Sequence, residues 1–216
     1  MRVSKKHDVR LNEILDISEN LFATKGYEKT TVNDILDGVG IGKGTFYHYF
    51  KSKDEVMDAV IMRMANTAKA ASQAIADMPG LSANEKLAKV FADQPGYNGA
   101  IVEQLHHDDN SAMHLKSLIE AMLAVTPAVT QIVKQGISEG VYNTPYPQES
   151  FEILFTGAQF LFDPGLFAWS AEELRQKITA FVHIMEIVLG AKKGCFDFFY
   201  MMDETSRRLG TTQQKE

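Results

Sequence analysis

Two clusters of side chains in this sequence have the types and spacing to do chemistry. The first is Gly42-Lys43-Gly44-Thr45-Phe46-Tyr47-His48, where an ammonium, a hydroxyl, a phenol and an imidazole fall within seven positions and two glycines stand among them. Glycines beside a lysine suggest a phosphate cradle, which needs Gly-x-x-x-x-Gly-Lys-[Ser/Thr]. Gly42-Lys43 fits, but Asp37 stands where the first glycine belongs and Gly44 where the hydroxyl belongs. The dinucleotide pattern Gly-x-Gly-x-x-Gly also fails, with Lys43 following Gly38 and Gly40, and Thr45 following Gly40 and Gly42. No hydrophobic strand precedes either candidate. The second cluster is His106-His107-Asp108-Asp109 with His114. Adjacent helix positions do not share a face, so His106 and His107 lack the i, i+4 spacing of a helical metal site. A bend at Asn110-Ser111 could carry His107 and Asp108 to His114, which leaves a helical metal-binding protein or hydrolase using the His106–His114 region as the alternative reading. A solvated charge cluster at a helix end accounts for the same residues. With no Gly-x-Ser-x-Gly element and no nucleophile arrangement around Cys195, catalysis is not expected.

The elements that must position the first cluster lie in residues 30–53. Val32, Ile35, Leu36 and Val39 follow the i, i+3, i+4, i+7 spacing of one buried helix face. Thr30 or Thr31 can cap that helix through a hydroxyl. Gly40 can take the positive φ of a tight turn. A second helix, about Gly42 to Tyr49, then presents Lys43, Gly44 and Thr45 in its first turn. This is the layout of a helix-turn-helix, whose second helix offers its N-terminal residues to base edges in the major groove. Lysine suits guanine O6/N7, and the threonine methyl can meet a thymine methyl. Gly44 permits close backbone approach, while Tyr47 and His48, one turn on, suit phosphate oxygens. Lys53 opens the next helix, whose N-terminal dipole attracts a phosphate. Phe46, Tyr49 and Phe50 are expected in the core.

Gly26-Tyr27-x-x-Thr30-Thr31-Val32-x-Asp34-Ile35, followed by Gly40-Ile41-x-Lys43-Gly44-Thr45-Phe46-Tyr47-His48-Tyr49-Phe50-x-Ser52-Lys53, resembles the TetR family of transcriptional regulators. The resemblance is dense over about the first quarter of the chain. It departs at Leu36 and Gly38, where the family usually has alanine, and at Gly42, where it usually has serine or threonine. The last departure removes a hydroxyl that would cap the recognition helix and reach a phosphate.

Composition agrees with a DNA reader better than with a nonspecific DNA coat. The chain of 216 residues has a net charge of −6, with 45% hydrophobic and 23% charged residues. Basic and acidic side chains are equal in number over residues 1–55, so all the net negative charge lies beyond them. A locally basic face on an acidic protein favours selective association. The single Cys195 excludes an intramolecular disulfide and fits a reducing cytoplasm. No apolar run approaches the ~20 residues of a bilayer span, and no signal peptide is legible, so a cytoplasmic protein without a membrane partner is expected.

In order along the chain, residues 1–8 are expected to be a polar tail in which Arg2, Lys5 and Lys6 can serve as a basic arm. The first helix is expected over Val9 to Lys25, ended by Gly26. A long helix from Lys53 to Met78 is broken by Pro79-Gly80. The capping box Ser82-x-x-Glu85 starts a short helix to Ala92, and after the break at Gln94-Pro95-Gly96, Asn98 caps another to His107. Residues 111–139 are helical, with Pro127 expected to kink or divide them. Helices at 148–162 and 171–189 follow, the second opened by Ser170-x-x-Glu173 and ended by Gly190. Phe196, Phe198, Phe199 and Tyr200 suggest a short packed turn before a polar tail.

The fold expected is all-α, with a three-helix DNA-binding head at 1–53 and a larger helical body at 54–216. The resemblance implies a transcriptional regulator, most often a repressor, that binds a palindromic operator in double-stranded DNA as a homodimer and answers to a small-molecule effector. It implies pairing through helices 148–162 and 171–189, and no cofactor. The DNA-binding set is Thr30, Thr31, Gly42, Lys43, Gly44, Thr45, Tyr47, His48 and Lys53. The effector set, chosen for apolar area with a few polar groups, is Tyr97, His107, Met113, Met122, Phe155, Gln159 and Trp169. A nucleoid-type binder without an effector would bind DNA with a salt dependence but little discrimination.

Overall fold

The computed structural model describes residues 2–93, 96–106 and 110–200, with side chains from residue 7 onward. They form α1 (Arg2–Lys25), α2 (Val32–Val39), α3 (Lys43–Tyr49), α4 (Lys53–Ala76), α5 (Ala83–Asp93), α6 (Gly99–Leu105), α7 (Ser111–Ser138), α8 (Pro147–Leu161) and α9 (Ala171–Leu189). Residues 198–200 are also helical, and no strand occurs among the described residues. The fold is all-α. The break expected at Gln94-Pro95 and the tail beyond Tyr200 lie outside the described residues, as do the side chains of Arg2, Lys5 and Lys6.

Two compact units divide the chain. The first runs through the described residues to Thr67 and resumes over Gly96–Ala121; the second begins at Ala68 and resumes at Met122. The sequence expectation drew the head at 1–53.

The first unit is built around side chains almost wholly removed from water: Ile14 and Phe22 of α1, Ile35 of α2, Phe46 of α3, and Val56, Met57 and Val60 of α4. Ile101 and Leu105 of α6 complete this core. Tyr27 ties the loop after α1 to its surroundings. Its N–H donates to Gln104 Oε1 at 3.1 Å, and its buried hydroxyl donates to Asp54. Burial first, and then the Asp54 carboxylate, push the Tyr27 phenol well above its ordinary range. Arg63 of α4 pairs with Asp16 and Glu19 of α1.

The first helix differs from expectation by starting at Arg2 instead of Val9. One contact favours the extension: the His7 ring lies tilted against Tyr49 of α3 at 4.7 Å between centroids. A local sequence pattern cannot register that neighbour.

In the second unit α5, α7, α8 and α9 supply most of the core. Lys86 is buried, and its ammonium donates to the Ala76 carbonyl at the end of α4 (2.6 Å) and to Gln135 Oε1 (2.9 Å). The negative end of a helix suits a cation there. Pro127 does not divide the chain, because α7 continues from Ser111 to Ser138 through it. The missing proline N–H would have bonded the carbonyl of Leu123, a residue on the solvent side, where water can take its place. By length and apolar content α7 reaches the dimensions of a membrane span. Within the second unit, however, Ala124, Val125, Ala128, Val129, Ile132 and Val133 of α7 are buried. At the end of α7 an added Cβ on Gly136 would lie 2.2 Å from the Tyr142 ring, so glycine is what lets that ring pack. α9 begins in the capping box formed by Ser170 and Glu173 and ends at Gly190 with φ 61°.

Candidate nucleic-acid interface

The local pieces of the helix-turn-helix are each accounted for by a few bonds. Thr31 caps α2: its hydroxyl accepts the Asp34 N–H, while the Asp34 carboxylate accepts the Thr31 N–H at 2.7 Å. Lys25 adds an ion pair to the same carboxylate at 2.6 Å. That lysine first, and Thr31 second, hold the Asp34 carboxyl well below the ordinary carboxylate range. Gly40 closes α2 with φ 72°, in the left-handed region that a Cβ disfavours, and its N–H donates to the Leu36 carbonyl at 2.9 Å. Phe46 and Phe50 then anchor α3 in the core at 0% and 6% exposure. Tyr49 is partly buried against the same core.

What α3 presents outward follows from that anchoring. Lys43, Gly44, Thr45, Tyr47 and His48 are all exposed, Tyr47 by 54%. At 3.6 residues per turn, Gly44 and His48 lie on the side facing away from Phe46, Thr45 and Tyr47 stand about a right angle to either side of it, and Lys43 lies in the exposed first turn on the flank of Tyr47, four positions on. Gly42 is the N-cap, with φ −82°, and no side chain caps the helix there. An added Cβ at Gly42 or Gly44 would meet open space, so both positions offer bare backbone to an approaching surface. His48 meets His7 edge to face at 6.1 Å, which brings the start of α1 to this side of the unit. The sequence reading missed His7, which carried no motif.

The other residues proposed for DNA stand differently. Thr31 is exposed at the start of α2. Thr30 is 1% exposed and its hydroxyl donates to the Gly26 carbonyl at 2.7 Å, so its side chain faces the interior and the cap belongs to Thr31. Lys53 is half-buried at the start of α4. Its ammonium donates to the Tyr27 carbonyl at 2.7 Å and lies 4.0 Å from the centre of the Tyr27 ring. Tyr27 therefore positions Lys53, a role that only its place in the motif, Gly26-Tyr27, could have signalled.

The residues proposed for an effector are divided between the two units. Tyr97, exposed, and Met113, packed beside the core, belong to the first unit. Met122, Phe155, Gln159 and Trp169 belong to the second. Met122 accepts the Thr126 hydroxyl through its carbonyl at 2.7 Å. The Trp169 indole N–H donates to the Leu161 carbonyl at 2.8 Å, and its ring stacks on Phe167. Gln159 is half-buried on α8. His107, with Asp108 and Asp109, lies outside the described residues. His106 and His114 meet edge to face at 4.9 Å. Of the proposed set only Phe155 lines the apolar cavity that the second unit contains, between α5, α7, α8 and α9, with a volume of about 370 Å³.

Residues 14–60 match the family model described as bacterial regulatory proteins, tetR family, and residues 96–184 match the tetracyclin repressor-like C-terminal domain. The chain belongs to the TetR family. Two curated relatives match its N-terminal part. The HTH-type transcriptional repressor KstR2 of Mycobacterium tuberculosis is 42% identical over 60 residues, which is 28% of this chain and 30% of that protein. An uncharacterized HTH-type transcriptional regulator of Lactococcus lactis subsp. lactis is 53% identical over 49 residues, 23% of this chain and 25% of that protein. The chain thus spans less than a third of the length of these TetR relatives. A solved transcriptional regulator from Cytophaga hutchinsonii shares the fold more widely, with a TM-score of 0.62 at 20% identity over 83% of this chain and 96% of the other.

Proposed function

We propose that this chain is a sequence-selective DNA-binding transcriptional regulator, a repressor that reads a palindromic operator as a homodimer and is released by a small molecule. The observation that carries the reading is the outer side of α3. Lys43, Gly44, Thr45, Tyr47 and His48 are exposed on a short helix whose opposite side is locked in the core by Phe46 and Phe50. Family membership supports it, and the matching segment of the M. tuberculosis relative lies in a protein named as a repressor. Lys43 and Thr45 are read as base contacts, and Gly42, Gly44, Thr31, Tyr47, His48 and Lys53 as groups for the phosphate backbone. Thr30 supports the turn from within. Such a regulator works on DNA in the cytoplasm, with 1–53 as the reading head and the rest as effector and pairing body.

Pairing is supported by a second feature. Ile153 and Phe160 of α8 and Ile184 and Ile187 of α9 are large apolar side chains left exposed, Ile153 by 71%. On α8 they lie on the side facing away from Phe151, Phe155 and Phe162, and Gly157 between them would let a second helix approach closely. Two recognition helices paired in this way would read half-sites about one DNA turn apart. An effector shifts such a dimer only through its different affinity for the bound and released states.

Selection of sites from random duplex DNA tests the reading. A palindromic consensus is expected, weakened by Lys43→Ala by about 1–3 kcal/mol with a change in the preferred base. Tyr47→Phe should weaken binding without changing the consensus. Absence of any enriched sequence at moderate salt, repeated after removal of bound ligand, would sink the proposal.

A further inference from the structure

The cavity of the second unit carries information about what can occupy it. Its volume is about 370 Å³, within the ~300–1,000 Å³ range of small-molecule sites. Every described side chain that lines it is apolar. Six are phenylalanines, Phe91, Phe151, Phe155, Phe162, Phe181 and Phe199, and the rest are aliphatic apart from Met185. None offers an N–H, an O–H or an oxygen. A polar group placed deep there would find no side-chain partner in the wall, and a charge would fare far worse. An apolar chain, by contrast, replaces contacts that the lining side chains lack.

We propose, resting on the regulator reading above, that the effector inserts an uncharged hydrocarbon body into this cavity and keeps any polar group at its mouth. A second copy of the chain is not the occupant. The side chains left for a partner, Ile153 and Phe160 of α8, lie on the other side of the helix from Phe151, Phe155 and Phe162. Phe199 closes on Phe91 at 5.0 Å, so one wall is a ring carried by the last described residues. The thioether of Met185 and the rotatable Phe rings let the wall adapt to the girth of the chain.

The probe is N-phenyl-1-naphthylamine, an uncharged fluorophore that brightens in apolar surroundings, added to the full chain. A saturable rise of one probe per chain is expected. Ala158→Trp, which fills the cavity from α8, should weaken it at least tenfold while circular dichroism reports an unchanged helix content. 1-Decanol should displace the probe. 1,10-Decanediol, which must bury one hydroxyl, should compete far less well. Ala158→Ser, which gives the wall a hydroxyl, should narrow that difference several-fold if the second hydroxyl enters the cavity. Equal competition by the two alcohols, or probe binding untouched by Ala158→Trp in a folded protein, overturns the proposal. Emission that rises only as the chain associates does so too, by making a second copy the cover. Operator binding measured on the same sample separates the two readings. DNA bound without probe binding removes the hydrocarbon effector and leaves the regulator; probe bound without any selected DNA sequence does the reverse.

Discussion

The two units use apolar side chains for opposite ends. In the first, Ile14, Phe22, Ile35, Phe46, Val56 and Ile101 are each 0% exposed, and the side chains that can do chemistry stand outside on α3. In the second, a comparable stock of phenylalanine and aliphatic residues surrounds a space of about 370 Å³. A filled core makes the outer surface rigid, since close-packed interiors transmit strain and resist deformation. A core with a gap forgoes some of that packing and retains a place to be filled. Under the proposed function, reading a fixed operator would suit the first arrangement, and sensing a variable ligand the second.

The sharpest way to break this comparison is to delete the same ring from both. Phe46→Ala should cost about 3–5 kcal/mol in chemical denaturation, the range for a buried ring with nowhere for its neighbours to collapse. Phe155→Ala, at the cavity wall and half-buried, should cost only ~1–2 kcal/mol. Equal costs would mean that the second core is as full as the first. Next in size is Gly136→Ala, which drives a methyl into the Tyr142 ring. That ring is held in place by its hydroxyl on Asn84. The loss should be about 1–3 kcal/mol, seen as a lowered denaturant midpoint.

Smaller effects report on the caps of the first unit. The Asp34 carboxyl titrates lower in the folded head than in the unfolded chain, because of Lys25 and Thr31. Its contribution is therefore complete above the ordinary aspartate range near pH ~4 and fades as the pH falls below it. Asp34→Asn should be less stable than the parent at pH 7, and the gap between the two melting temperatures should begin to narrow as the pH falls below ~4. A constant gap would contradict the ion-paired cap. Smallest is Gly42→Ser. With φ −82° and open space for a Cβ, a serine fits as it stands and supplies the missing cap. A gain of a few tenths of a kcal/mol is expected, read from thermal unfolding.

Much of the architecture was legible because it is local. The boundaries of α9 follow from Ser170, Glu173 and Gly190, and the starts of α5 and α6 from Ser82 with Glu85 and from Asn98. Each cap is a bond between residues three apart, so a pattern in the chain is enough to find it. The anchoring of Phe46 and Phe50 was legible for a similar reason, as aromatic residues within and just past the end of one short helix. Less was legible where a distant neighbour decides. Gly38, unusual for the family, lies where an added Cβ would come within 2.6 Å of Ile17. Lys53 is tied to a carbonyl 26 residues earlier, and the N–H of Tyr27 to a side chain 77 residues later. The proposed effector residues were chosen by type, and type does not say which residues face a common space.

By itself, then, the order of residues determined an all-α chain, the turn between α2 and α3, and the caps of α5, α6 and α9. Hydrogen bonds between near neighbours and the 3.6-residue period suffice for these. Only the tertiary structure decided that Thr31 and not Thr30 is the cap, that α6 completes the first core, that Pro127 leaves α7 whole, and that Phe155 lines a cavity. Each of those depends on which side chains from remote segments fill the space around a residue. That is a property of packing, which no stretch of sequence contains alone.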